Sequence, residues 1–580
     1  MAKQSVLNRP HVTEPSGRNA FDRSKNADFN QVAGMLGVCF CDFFQKGSKG
    51  VINRKVFTRT QQVLYPGFQQ ITEHMDFVKI PIRYLWSPYN DWSLNIFDIN
   101  SSAMKPQVSM FNQQLPVLPQ LDFGSKLYEG LNVDLSSAAG AKFVNYAQRL
   151  IDQIGLGSTT LKSQNPNVMN LIKIAAYQKG YMDLYRNTAY ESLKNYAYNL
   201  DWLSANGQYL LNPTRDGQVH NNVVDNRVCE ELFTLRFVNY RNDYFHNLYP
   251  SLNYTTSSPS GTDWSLPTNI ADVVTSSSGN KFHVAPGGAY ASSQSATLLQ
   301  LGSNLSNNNF INVQSIRAMF ALDKLQRASA YAPKHVRDQI KARFGVDVGD
   351  KVSFESERLG SFVNEVVLGE VTNVAETSLS PLGAVGGKGV GSGQFEKDIH
   401  FYCEEDSIII GYHYFIPRAM YDSNRLDVFS CRLTREDFFQ KEYENLGLRP
   451  LYRKFVEFLD DGGSYDNSIC CYQPPYQEEK LGIDSNHGLF NDKYPIFTAG
   501  SGWSETSSPL KAFVPHTNLN PPSGGGVSYA YFKVRPSDVD NLFAIAADSD
   551  GSQTHDHFYG FYRIKCGVVS GMSVHGQPSL

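Results

Sequence analysis

Apolar and polar residues alternate along several stretches of this chain in the period-two rhythm of half-buried antiparallel strands. Within residues 76–86, Val78, Ile80, Ile82, Tyr84 and Trp86 fall on one face, and Lys79, Pro81 and Arg83 on the other. Pro81 has no N–H to give a ladder, which places that strand at an edge or at a bulge. Ile408, Ile410, Tyr412, Tyr414 and Ile416 repeat the rhythm as far as Pro417, and Tyr562, Ile564, Cys566 and Val568 alternate with Arg563, Lys565 and Gly567. Residues 35–44 and 51–63 read as two further strands around a turn at 46–50. Strand signals therefore gather at both ends of the chain. That layout predicts one β-barrel, residues 33–580, interrupted by large insertions at about 100–400 and 418–555.

The helix-period signals lie inside the insertions. Val168, Leu171, Ile172 and Ala175 follow Asn165-Pro166-Asn167 at helical spacing. Val336, Ile340 and Phe344 repeat every four residues, with Pro333 at the expected first position and Gly345 as the stop. Residues 434–437 (Thr-Arg-Glu-Asp) open a short capped helix. Residues 251–313 are rich in Ser, Thr, Asn and Gly and carry scattered apolar positions, which predicts a small, exposed β-rich insertion. The glycine-rich stretch 383–393 reads as a flexible surface loop. Residues 1–32, with several breakers and no periodicity, read as an extended arm.

Composition narrows the function classes. The 580 residues carry a net charge of −4, so any bulk neutralisation of a nucleic acid falls to a separate basic partner. Local contact is assigned to the arm cations Lys3, Arg9, Arg18, Arg23 and Lys25, against a competing role as a solvated or subunit-clamping arm next to Glu14, Asp22 and Asp28. No apolar signal region or membrane-length run is present, and the 8 Cys lack zinc-type spacing, so they read as reduced thiols of a cytoplasmic product. Aromatic residues make up 13%, which suits interfaces as well as cores.

The motifs that invite chemistry fall short of it. Residues 386–391 resemble a phosphate loop, but Gly389 stands where a Ser or Thr must reach the metal. Asp548, Asp550, His555 and His557 lack the third carboxylate and the later Glu of a calcium loop. His555 and His557 remain weak metal candidates without a nameable third ligand. No nucleophile elbow or metalloprotease helix occurs, so the sequence assigns no catalytic residue, no metal and no cofactor.

A set of ordered segments nonetheless resembles a known family. Residues 571–580 (GMSVHGQPSL), 56–61 (VFTRTQ), 74–81 (HMDFVKIP) with Leu85-Trp86, 176–187 (AYQKGYMDLYRN), 235–245 (LRFVNYRNDYF), 316–345 and 408–411 (IIIG) are similar, in order, to the major capsid proteins of the Microviridae, on the gokushovirus and alpavirus-like side. The resemblance implies a mainly β, eight-stranded antiparallel viral jelly roll with long loop insertions containing helices. It further implies a T=1 icosahedral shell, built in the bacterial host cytoplasm around a circular single-stranded DNA genome. A pilot protein, a small basic DNA-packaging protein, an internal scaffolding protein and a host receptor are the implied partners, with no membrane insertion. It places the 251–313 insertion on the outside of the shell. Tyr177, Tyr181, Tyr185, Tyr240, Tyr244 and Phe245, in segments too aromatic for one barrel core, are assigned to subunit contacts; the alternative is a helical layer over the barrel of the same subunit. The runner-up function is a non-viral β-sandwich that binds glycans or surfaces, and a glycosidase would need a carboxylate pair that the sequence does not single out.

Overall fold

The computed structural model describes residues 17–63, 69–94, 108–109, 112–113, 118–123, 138–157, 167–194, 197–203, 231–250, 332–372, 385–393, 397–421, 425–444, 447–456, 466–492, 529–536 and 556–572, with isolated positions between them. The chain forms two compact units, one of residues 1–250 with 349–580 and one of residues 251–348. The second unit thus extends well past the insertion expected at 251–313, and that stretch itself lies outside the described residues.

The larger unit is built on an antiparallel sheet. Its strands in chain order are β1 (Asn19–Asp22), β2 (Lys25–Gln31), β3 (Gly37–Phe44), β4 (Lys49–Val63) and β5 (Ile71–Pro81). Two short pairs follow, β6 (Val108–Ser109) with β7 (Asn112–Gln113) and β8 (Gln120–Phe123) with β9 (Asn167–Asn170). The sheet resumes with β10 (Glu357–Thr372), β11 (Val385–Gly393), β12 (Ile399–Tyr402) and β13 (Ser407–Pro417). A hairpin of β14 (Arg449–Tyr452) and β15 (Ile469–Gln473) precedes the last strand, β16 (Phe558–Ser570). The sheet order is β1-β16-β4-β11-β10-β5-β13-β3, with β2 beside β16 and β12 beside β4. Strands from the two ends of the chain are therefore hydrogen-bonded neighbours, and everything between β5 and β10 or between β13 and β16 is inserted. The protein is mainly β.

The sheet curls until its two edges meet through side chains. Lys25 on β2 reaches Asp42 on β3 at 2.5 Å, and Arg23 contacts the same carboxylate at 3.3 Å. Arg23 also donates to the Phe43 carbonyl at 2.6 Å. Across the enclosed space Phe415 of β13 stacks on Phe558 of β16 with ring centres 4.0 Å apart. Phe29 of β2 meets His413 of β13 edge-on at 4.6 Å. Stacking of this kind fills a curled sheet with contacts between residues far apart in sequence.

A fully buried polar chain crosses the same interior. Arg54 donates to Asn364 Oδ1 (2.7 Å), and Asn364 donates to Glu73 Oε2 (3.0 Å). Glu73 Oε1 accepts from Thr58 (2.7 Å) and lies 2.8 Å from His413 Nε2. Burial pushes the Glu73 carboxyl up, but the bonds from His413, Thr58 and Asn364 outweigh it and hold the group below its ordinary range.

Several elements depart from the sequence reading, each for a physical reason. The strand expected over 76–86 runs from Ile71 to Pro81, and Ile82–Tyr84 form a 3-10 turn. Nor is it an edge: β5 lies between β10 and β13 and is buried on both faces, so its alternation does not mark a solvent side. The glycine-rich stretch expected as a loop is strand β11. A side chain at Gly389 would collide with Thr60 and Leu368, so glycine lets β11 settle between β4 and β10. The part of the arm that is described is not free either, since β1 and β2 both pair with β16.

Helix α1 (Ala138–Ile154) packs on β3, and helix α2 (Ile172–Leu184) packs on β13 and β5. Helix α2 starts later than its apolar spacing suggests because residues 167–170 pair with β8. In the smaller unit helix α3 (Val336–Phe344) begins three residues beyond the expected first position, Pro333, and ends at Gly345 in the left-handed region with φ 68°. At 434–437 Thr434 donates from its N–H (2.8 Å) and hydroxyl (2.9 Å) to Asp437, closing a capping box on a single 3-10 turn.

Candidate assembly surface

The aromatic residues assigned to subunit contacts lie inside their own chain. Tyr177, Tyr181, Tyr240, Tyr244 and Phe245 are buried, and Tyr185 is packed against the core from its edge. The physical cause is helix α2, which covers the outer face of β13. The Tyr412 hydroxyl donates to the Tyr177 carbonyl at 2.9 Å, an approach that only Gly180 permits, since a Cβ there would sit 2.1 Å from the same hydroxyl. Tyr185 and Tyr414 both donate to Asp76 Oδ2, at 2.7 and 2.8 Å. The subunit-contact assignment is corrected: Tyr177, Tyr181 and Tyr185 belong to a helical layer over the sheet of the same chain, and Tyr240, Tyr244 and Phe245 are buried in that chain from the non-helical segment 236–249.

Beneath that layer lies an ionic cluster. Arg236 donates to Glu231 (2.6 Å) and to Gln178 (2.7 Å), and Lys194 pairs with the other oxygen of Glu231. Glu191 accepts from Tyr181 (2.7 Å) and Tyr529 (2.9 Å), while Lys533 donates to Tyr181 and to the Phe237 carbonyl. Burial pulls the Lys533 ammonium down to about 7. Buried His246 and Tyr421 form a second trio with half-buried Asp243, the Tyr421 hydroxyl lying 2.6 Å from Asp243 and 2.7 Å from His246 Nδ1. These networks bind the inserted segments to one another and to the sheet.

The remaining expected site residues are also placed. Lys3, Arg9 and His555 lie outside the described residues. Arg18 is exposed, whereas Arg23 and Lys25 are engaged by Asp42, so these two are structural clamps rather than phosphate contacts. His557 is fully buried, accepts the Ala33 N–H on Nδ1 (3.1 Å) and stacks on Phe543 at 4.8 Å. It is a core residue rather than a metal ligand. Among the described residues no cluster of three metal-ligating side chains occurs, Cys39, Cys41, Cys403, Cys431 and Cys566 are free thiols, and no helix is long and apolar enough to cross a membrane.

The surface most suited to protein contact lies in the insertion between β13 and β16. Phe429, Leu433, Phe438 and Phe439 are exposed there, with Leu433 at 88% of its possible area. Phe429 and Phe438 meet edge-on at 6.0 Å, and the Arg432 guanidinium lies 5.7 Å from the centre of each ring. Arg432 is anchored in turn by Glu479 (2.8 Å) and Glu478 (2.5 Å). The capping box at Thr434 fixes the turn between the two phenylalanines. Beside this segment Arg425, Phe429, Arg432, Phe455 and Leu481 line a cleft of about 410 Å³. Rigid apolar side chains held in water by an ion-paired arginine are the usual marks of a protein-binding patch.

Sequence patterning singled out only the cap at 434–437 in this region. Alternation and helical spacing report what faces a core, and this strap follows neither. The available signal was the run of Phe429, Leu433, Phe438 and Phe439 among charged residues. No known protein family matches the chain, and no curated protein matches it either.

Proposed function

We propose that this protein is a shell-forming structural protein, a microvirus-like major capsid protein whose copies close into a T=1 icosahedral particle around circular single-stranded DNA. The observation that carries the reading is the apolar strap at 429–439, exposed on a chain that buries a large aromatic core of its own and held in place by the ion pairs of Arg432. Leu433, Phe429, Phe438 and Phe439 together form an exposed apolar run, and in this reading it is covered by a neighbouring copy of the chain. The finer fold assignment, an eight-stranded jelly roll, is supported by the curled antiparallel sheet and by successive strands such as β3, β4 and β5 that are not neighbours in it. In that reading the insertions between strands carry subunit and host contacts, closure of the shell multiplies individually weak interfaces, and packaging, pilot and scaffolding proteins act as partners.

Electron microscopy of the purified chain, alone and with its scaffolding partner, tests the reading. Closed spherical particles of uniform size are the expected result. A monomer on sizing with no particles under either condition overturns it and favours a glycan- or surface-binding sandwich.

A further inference from the structure

The outward face of strands β4, β16 and β11 carries a concentration of positive charge at odds with the chain's net −4. Inward-facing Arg54, Val56, Thr58 and Thr60 alternate on β4 with outward-facing Lys55, Phe57 and Arg59. On β16 the outward positions are Tyr559, Phe561, Arg563 and Lys565. The register sets Lys55 directly opposite Arg563, Phe57 opposite Phe561 and Arg59 opposite Tyr559. Lys388 extends the face from β11, with its ammonium 5.5 Å from the Tyr559 ring centre. Arg59 lies 5.0 Å from the Phe57 ring, and Phe57 and Phe561 are 5.9 Å apart. Phe561 is 43% exposed.

Among the described residues no carboxylate forms an ion pair with Lys55, Arg59, Lys388 or Arg563. Acids that border the face are Asp28, opposite Phe561 on β2, Asp22, which is bonded to the hydroxyl and N–H of Ser24, and Asp398, which accepts from Asn53 opposite Lys565. Like charges directly opposite each other on adjacent strands destabilise a sheet. The Lys55–Arg563 pair therefore works against folding, and a polyanion laid across the two strands would offset it.

We propose that this face binds single-stranded nucleic acid, with Lys55, Arg59, Arg563, Lys565 and Lys388 on the phosphates and Phe561 as a stacking platform for a base. The inference deepens the shell reading by giving the packaged single strand a place to lie, and takes DNA as the partner from that reading. Side chains two apart on a strand repeat at about 6.5–7 Å and neighbouring strands at about 4.8 Å, so cations and rings alternate on a grid of nucleotide dimensions. Flat sheets that bind single strands combine these same two elements, basic groups along the backbone and exposed rings under the bases. A duplex hides its bases from such a surface and engages the cations alone.

Fluorescence anisotropy with a labelled mixed-sequence DNA strand of about 20 nucleotides, using the full chain, tests this. Arg59→Gln with Arg563→Gln and Lys565→Gln is expected to weaken binding more than tenfold. It should also flatten the slope of log affinity against log salt by about 2, at roughly 0.7 per lost phosphate contact. Phe561→Ala, a single exposed ring that leaves folding intact should the triple variant fail to fold, is expected to weaken binding about fivefold with the salt slope unchanged. Lys341→Gln with Lys454→Gln and Lys480→Gln removes equal charge elsewhere and should bind as the parent does. The proposal is overturned if the sheet-face triple variant binds within twofold of the parent. It is equally overturned if Phe561→Ala has no effect while phosphatidylglycerol vesicles compete as well as the single strand does. Particle formation is scored in parallel. Particles without face-dependent DNA binding sink this inference alone, and face-dependent binding without particles sinks the shell reading alone.

Discussion

Two exposed regions of this molecule are made from the same residue types, arginines over phenylalanine rings, and differ in one respect. On the strap at 429–439 the arginine is held by Glu478 and Glu479. On the outward sheet face Lys55 and Arg563 oppose each other with no described carboxylate paired to either. In the first region the charge is satisfied internally, and what remains to be offered is apolar surface. In the second the charge itself is on offer. A count of basic and aromatic residues cannot separate a protein-binding patch from a polyanion-binding one; the whereabouts of the carboxylates can.

The largest effect expected from this contrast is loss of assembly. Leu433→Asp with Phe438→Asp should abolish closed particles in electron microscopy while shifting unfolding stability by no more than about 0.5 kcal/mol, as surface substitutions do. Particles of normal yield would mean the strap is not an interface. Next in size, Glu478→Gln with Glu479→Gln strands Arg432, whose side chain is largely buried, and should cost about 2–3 kcal/mol in urea unfolding. A cost near zero would erase the distinction between the two regions.

Acid tests the sheet at β5, where His74 stacks on Tyr414 beside Arg241. Burial, and then the neighbouring Arg241, pull the His74 imidazole down to about 4. Between pH 6.5 and 4 the unfolded chain takes up a proton that the folded chain refuses, so stability falls across that window as pH is lowered. The loss should be about 2 kcal/mol after discounting for solvent at the ring's edge, and His74→Gln should remove that part of the slope in chemical unfolding at graded pH. Smallest of all, Arg563→Gln should stabilise the fold by about 0.5 kcal/mol by relieving the opposed cations. A loss of stability there would show that the charge is structural.

The sheet was legible from sequence wherever a strand alternates or ends on a breaker. Strands β3, β4, β13 and β16 lie close to where apolar periodicity places them, because their inward residues fill one enclosed core. Strand β11 was hidden because close packing against Thr60 and Leu368 demands glycine, and glycine also spells loop. The aromatic helix layer was misassigned because a sequence shows how much apolar surface needs covering but not which molecule covers it. Helix α2 does so within the same chain. The basic face was the least legible. Lys55 and Arg563 lie more than 500 residues apart and become neighbours only through the register of β4 with β16.

That pairing has a kinetic consequence. Strand β16 lies between β4 on one side and β1 and β2 on the other, so the sheet cannot close until residues 558–570 have been synthesised. Until then β4 presents an unpaired edge, and its pairing with β16 joins residues about 500 positions apart. Topologies of this kind fold slowly and expose aggregation-prone edges meanwhile. A newly made chain therefore waits on β16 before its sheet can close.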